Sequence, residues 1–415
     1  MEHKDKLIVG PEYVKQFKCI GPSCQDNCCI GWDVDIDKKT YYKYQKIKEE
    51  ELMRLFKSSV HQNREAYSDD VDFAKVKLKK DKRCPFLNDE NLCRIQAKVG
   101  ENYLSNVCAT YPRFTNLVND VYEHSATVSC PEAAKLILKN KMGLSFASKT
   151  ADLGVRSIIM YQVDTRLFGQ NSMITHLLAL RQFSISVLQN RGYTLEERLL
   201  LLGYFFSDFQ KLTDRKRTID ISGLIKEHND KIKGEKFRKT IKDLPIRISD
   251  QMTIISEIAS QLRVYDEIDS KRFIAFTEDC KKGIAGAKSP GVRSEHVKNY
   301  SDSYQLYYEP FMAKHGYILE NYLVNYVFSN LFPAGESQKP FEAYSLLVAR
   351  YALIKYDLIG IAASKRGLNE KLAIEFIQVF SKAVEHHKTF LESIPSYLQR
   401  KKYNTLADMA VLLKH

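Results

Sequence analysis

Residues 192–209 read Gly-Tyr-Thr-Leu-Glu-Glu-Arg-Leu-Leu-Leu-Leu-Gly-Tyr-Phe-Phe-Ser-Asp-Phe. Thr194 followed three residues later by Glu197 is a capping box, in which hydroxyl and carboxylate satisfy backbone N–H groups left over by the first helical turn. The apolar run Leu199 to Phe209 then continues as a helix. Outward from this stretch the pattern stays helical: Gln251 to Val264, Ser270 to Cys280, Pro340 to Gly360, Asn369 to His387 and Asn404 to Leu413 read as further helices. Strand signals become rare after about Leu153. Lys211 to Arg217 and Asp230 to Arg247 are polar and basic, the second punctuated by Gly234 and Pro245, and read as loops between helical pairs. Ile284 to Val292 reads as another loop, and the glycine pair of Gly283-Ile-Ala-Gly286 as its punctuation. The expected fold class is mainly α, with a small cysteine-rich α+β domain over residues 1–150 carried on a larger helical body over residues 151–415.

Upstream the signals are mixed. Trp32-Asp-Val-Asp-Ile-Asp alternates at period two, like a half-buried strand, and Asp37 then caps a helix of Tyr and Lys residues. Lys75 to Arg83 also alternates; it reads as an edge strand whose lysines block further pairing, or as a basic strand that guides an acidic partner. The 415 residues exceed the roughly 250–300 at which one hydrophobic core stops growing, so two domains are expected. With 44% apolar and 27% charged residues, and only 11 Pro and 18 Gly, the composition excludes a fibrous or disordered chain.

The formal charge of +12 is spread over both halves, 25 basic and 21 acidic side chains in residues 1–150 against 38 and 30 beyond. Its sign favours acidic partners, but neither half is a polybasic tail, and no nucleic-acid partner is expected. Met1 to Gly10 show no export signal. The most apolar window, Tyr344 to Ala363, is broken by Arg350, Lys355 and Asp357, so no transmembrane segment is expected and the cytoplasm is the expected compartment.

Eight of the nine cysteines, Cys19, Cys24, Cys28, Cys29, Cys84, Cys93, Cys108 and Cys130, lie within the first 130 residues, and Cys280 alone lies outside. Without an export signal, disulfides are the less favoured explanation, and a metal or cluster site is the expected one. Cys19-Ile-Gly-Pro-Ser-Cys24-Gln-Asp-Asn-Cys28-Cys29 supplies four thiols separated by turn formers. Cys84 and Cys93 frame an Asn/Asp-rich turn, Cys108 opens Cys-Ala-Thr-Tyr-Pro-Arg, and Cys130 precedes a helix with Pro131 at its first position. All-thiolate sites suit zinc and iron–sulfur clusters alike. The lack of regular CxxC knuckles fits a cluster somewhat better than zinc, and eight ligands leave a surplus over the four that one four-iron cluster takes. Cys24 and Cys28 match the first interval of the radical CxxxCxxC motif, but Gly31 stands where its third cysteine belongs.

The succession CxxxxCxxxCC, CPFL with CRIQ, CATYP and CPEA resembles a cysteine-cluster domain thought to chelate zinc or iron. Across its length, including Leu319 to Pro333, the chain is similar to the flagellin lysine-N-methylases. That resemblance implies S-adenosylmethionine as methyl donor, a four-iron four-sulfur cluster on these cysteines, and flagellin as protein substrate.

A methyltransferase of the doubly wound class would show a strand, a glycine-rich turn and a helix; no such unit is found. Methyl transfer to a lysine needs a neutral amine in line with the methyl group, hence a proton acceptor nearby. In Glu309 to Tyr326, Glu320 is the candidate acceptor, and Tyr322, Asn325 and Tyr326 share a helical flank suited to donor or substrate contacts, although a Tyr, Val and Phe stripe is more often core. Arg113, beside Cys108, could donate to cluster sulfides or to a donor carboxylate. His386-His387 read as a cationic helix end rather than a metal pair. The competing expectation is a non-catalytic metal-binding scaffold with a helical protein-interaction module.

Overall fold

The computed structural model describes residues 5–151, 158–215, 218–261, 270–285, 292–335, 337–385 and 388–415. The protein is mainly α-helical with a small α+β region towards its N-terminus. It divides into two compact units: Met1–Leu136 with Ser145–Val163, and Ile137–Leu144 with Asp164–His415. The chain therefore changes unit three times where the sequence suggested one boundary at residue 150.

The first unit holds two sheets. The larger is mixed, in the order β7-β1-β6-β5-β8, with β1 Lys6–Pro11, β5 Arg113–Val118, β6 Val121–Ala126, β7 Phe146–Ala151 and β8 Ile159–Val163. β5 and β6 form a hairpin through Asn119 and Asp120, both at positive φ (49° and 68°), the pairing a tight two-residue turn requires. The smaller sheet has the order β2-β4-β3, with β2 Val34–Ile36, β3 Val60–Gln62 and β4 Ala74–Val76. Here the alternating Lys75 stretch differs from expectation: its strand is only three residues long and central, not an edge. Asp37 does cap a helix, Lys38–Tyr44, accepting from the Thr40 N–H at 2.9 Å. This sheet packs with the helices Lys38–Tyr44 and Glu50–Ser59 around Leu52, Phe56, Phe86 and Ile95. Cys84 lies in that core and Cys29 and Cys93 pack against it, so the core fixes one wall of the cysteine site.

The second unit is built on the helix Pro340–Lys365, which is buried almost all round. Its mid-helix charged residues Arg350, Lys355 and Asp357 are 1–2% exposed, and each has partners. Gly283 lies inside the helix Lys271–Ala285 rather than in a loop, pressed against Gly360; Gly286 lies outside the described residues. The stretch Asp230 to Arg247 is largely helical, in Ile221–Lys233 and Glu235–Lys242 on either side of Gly234, because its basic residues form the solvated faces of amphipathic helices. The capping box opens the helix Leu195–Asp214 as expected from Thr194 and Glu197. Among the described residues no helix is long and apolar enough to cross a membrane.

Candidate functional site

All eight N-terminal cysteines line one cavity of about 400 Å³ within the first unit. Local structure delivers each of them. Cys19 and Cys24 flank a turn of 3-10 helix, Gly21–Ser23, closed by the Cys24 N–H donating to Gly21 O at 3.0 Å. The Asn27 side chain accepts from the Cys29 N–H at 2.8 Å, holding the adjacent Cys28 and Cys29 in a turn. The Cys84 N–H donates to Cys29 O at 2.8 Å, which ties the second cysteine loop to the first. Cys93 and Cys130 sit immediately before the helices Arg94–Val99 and Pro131–Leu138, where backbone N–H groups reach their sulfurs, and Cys108 lies in the first turn of Asn106–Thr110 behind its Ser105 cap.

Cys28 is the common neighbour: a charge on it acts on Cys24, Cys29, Cys84, Cys93, Cys108 and Cys130. Burial pushes the Cys84 and Cys130 thiols up to about 11 and Cys108 up to about 12. Cys108 is solvent-accessible across the cavity yet surrounded by protein atoms, which is why it behaves as a buried thiol. Cys29 is raised further, first by its hydrogen bond with Cys28 and then by burial. Thiols this crowded repel as thiolates, so they ionise together only when a cation compensates them.

Whether the donor set suits a soft metal centre is answered in two parts. Its chemistry does: the soft thiols share one cavity whose volume falls in the range of about 300–1,000 Å³ usual for small-molecule and cofactor sites. Its spacing is open: among the described residues no three His, Cys, Asp or Glu side chains are grouped closely enough to hold an ion. Arg113 lines the same cavity with its guanidinium 5.0 Å over the Phe17 ring, and so do Trp32 and Tyr111, which meet edge to face at 5.3 Å. Tyr111 stands in the motif opened by Cys108 and Trp32 three residues after Cys29, but neither is singled out as a site residue from the sequence.

The remaining expected residues lie in the second unit, on the wholly buried helix Tyr317–Ser329. Glu320, 2% exposed, is clamped by two arginines. Arg191 donates to its Oε1 at 2.8 Å and Oε2 at 3.0 Å, and Arg198 to Oε2 at 2.7 Å. A carboxylate so engaged has little lone-pair capacity left for a substrate proton. Tyr322 donates to Glu385, and Tyr326 accepts from Arg350 at 2.5 Å, with that guanidinium 3.9 Å over its ring. Asn325 is 2% exposed. Tyr322, Asn325 and Tyr326 thus act as core, with their polar groups spent within the fold and none of them lining a cavity described here. These residues do not fit a donor site. His386 and His387 lie outside the described residues.

The model of the FliB lysine N-methylase C-terminal domain matches residues 181–412. A lysine-N-methylase of Salmonella typhimurium and one of Salmonella choleraesuis are each 22% identical over 380 residues, covering 88% of this chain and 88% of the relative. The flagellar biosynthetic protein FliU of Salmonella muenchen is 28% identical over 147 residues, 35% of this chain and 85% of that protein. No solved structure matches.

Proposed function

The chain belongs to the FliB lysine N-methylase family, and from that premise we propose that it methylates lysine side chains of flagellin, with S-adenosylmethionine as donor and an iron–sulfur centre on its N-terminal cysteines. The observation that carries this reading is the family match over residues 181–412, joined to likeness with lysine-N-methylases along 88% of the chain. The flagellar name of the FliU relative supports flagellin as substrate.

Four of the eight cysteines would hold the centre. A four-iron four-sulfur cluster is preferred over zinc because the cavity far exceeds the room one ion needs. Such a centre supplies redox or Lewis-acid chemistry when bound. The chain's own contribution is to gather thiols from four loops, to keep Arg113 beside them as a hydrogen-bond donor for sulfide or carboxylate, and to line the cavity with Trp32 and Tyr111. Tyr322, Asn325 and Tyr326, the expected contacts of the methyl donor, are committed to the core.

Anaerobically purified protein incubated with S-adenosylmethionine and flagellin should add methyl increments to lysine, read by mass spectrometry, and should contain iron and acid-labile sulfide. Cys28→Ser should remove the visible absorbance, since Cys28 neighbours six other thiols. Unmodified flagellin in the presence of an intact centre defeats the activity; stoichiometric zinc without iron defeats the cluster. A metal-loaded protein that leaves lysine unchanged but captures flagellin would instead favour the scaffold reading.

A further inference from the structure

We infer that a pocket inside the helical unit, walled by Tyr304, Tyr308, Tyr317 and Tyr351 and including the carboxylate of Glu196, receives the substrate's primary amine; this rests on the lysine-methylating reading above. The pocket has a volume of about 450 Å³. It is open where Thr194, Glu309 and Lys314 are exposed and closed where Tyr308, Tyr317 and Tyr351 are buried. Every residue lining it falls within 181–412, the stretch matched by the lysine N-methylase domain.

Its polar groups sort by what they still have to offer. The interior cations are already committed, with Arg191 and Arg198 holding Glu320 and Lys355 donating to Glu196 Oε1 at 3.1 Å and to Leu413 O at 2.9 Å, while Lys314 lies exposed at the mouth. Glu196 Oε1 also accepts from Tyr351 at 2.7 Å, while its second oxygen receives no side chain of a described residue. The Tyr308 hydroxyl is buried, on a residue 2% exposed, and its polar neighbour is the hydroxyl of Tyr351. What remains is therefore acceptor: a carboxylate oxygen and a phenol oxygen, set among aromatic rings that suit the methylene stem of a lysine.

The backbone here is unusual as well. Tyr304–Tyr308 is a π-helical turn between the α-helices Ser294–Ser303 and Glu309–His315, a distortion frequent at functional sites. It brings Tyr304 and Tyr308 onto the pocket wall together, their rings 5.5 Å apart. Glu196 favours a protonated amine while Lys355 and Arg198, each paired with a carboxylate, oppose it, and an amine held there attacks a methyl group only once it is neutral.

Calorimetric titration of the full-length protein with a synthetic peptide carrying a single lysine, and with the same peptide carrying norleucine, tests the assignment. The lysine peptide should bind at least about tenfold tighter than the norleucine one, and Tyr308→Phe and Glu196→Gln should each remove about that factor. Wild-type binding by both variants overturns the site. Lysine discrimination without methyl transfer to flagellin leaves the pocket standing and sinks the methylase reading; methylation at wild-type rate by both variants does the reverse.

Discussion

Glu320 is worth most to the fold through Arg198. That guanidinium is 7% exposed and also donates to the carbonyls of Tyr193 and Leu188, so it is fixed in place whether or not its counter-ion is present. Glu320→Ala leaves it buried and uncompensated, and breaking a buried pair from one side costs about 3–5 kcal/mol. Arg191, whose side chain is 46% exposed, can turn to water and adds little. The denaturation midpoint of Glu320→Ala should fall accordingly, and Arg198→Met in the same chain should recover part of the loss. A Glu320→Ala protein as stable as wild type would deny the clamp. The sequence pointed to Glu320 from its place in a polar-aromatic segment, but could not show that Arg198 meets it from 122 residues away. The cysteines were legible because their type alone marks them. Glu196 and Tyr308 were not, since a capping-turn glutamate and a tyrosine in a helix look ordinary until the fold brings them to one cavity.

At the scale of elements, the tightest contact is the crossing of Lys271–Ala285 with Pro340–Lys365. A Cβ on Gly360 would stand 2.5 Å from Cys280 Sγ and 2.8 Å from Cys280 O, and one on Gly283 would stand 2.0 Å from Gly360 O. Alanine is better than glycine by about 1 kcal/mol within a helix. Here the obstruction includes backbone that cannot swing aside, and overpacking of about 1–3 kcal/mol outweighs that gain. Gly360→Ala and Gly283→Ala should both lower the melting temperature; stabilisation by either would mean that the helices part at little cost. Such a crossing is invisible in sequence, where Gly283 resembles loop punctuation. The helices themselves were largely legible, since Thr194 with Glu197 and the apolar run after them are local signals. The larger sheet was not: β6, Val-Tyr-Glu-His-Ser-Ala, carries as many polar as apolar side chains, and β1 finds its partners Tyr122 and Lys149 more than a hundred residues away. Its one local signal was the Asn119-Asp120 turn.

Among the described residues of the whole molecule, three imidazoles bind protons less readily in the fold than in the unfolded chain, one in the first unit and two in the second. His124 is lowered by burial and then by Lys149 and Arg113. His228, its side chain 2% exposed, is lowered by burial and by Lys231, against the opposing pull of Asp208 and Glu227. His415 is lowered to about 3, again by burial first and then by Lys355, with Glu196 opposing. Above an unfolded pKa of about 6.5 all three are neutral in both states, and their contribution to stability is complete. As pH falls below that value the unfolded chain takes up protons that the fold refuses, so stability declines towards the lower pKa values of the native state. The charge of +12 at neutral pH grows in the same direction and adds self-repulsion. Denaturant midpoints measured in steps from about pH 8 down to about pH 5 should therefore drop below about pH 6.5. His228→Gln should flatten part of that slope while keeping a hydrogen-bond donor for Asp208, which now accepts from His228 Nε2 at 3.2 Å. A midpoint that stays level over the whole range, or one that falls as steeply in His228→Gln as in wild type, would remove His228 from the acid response.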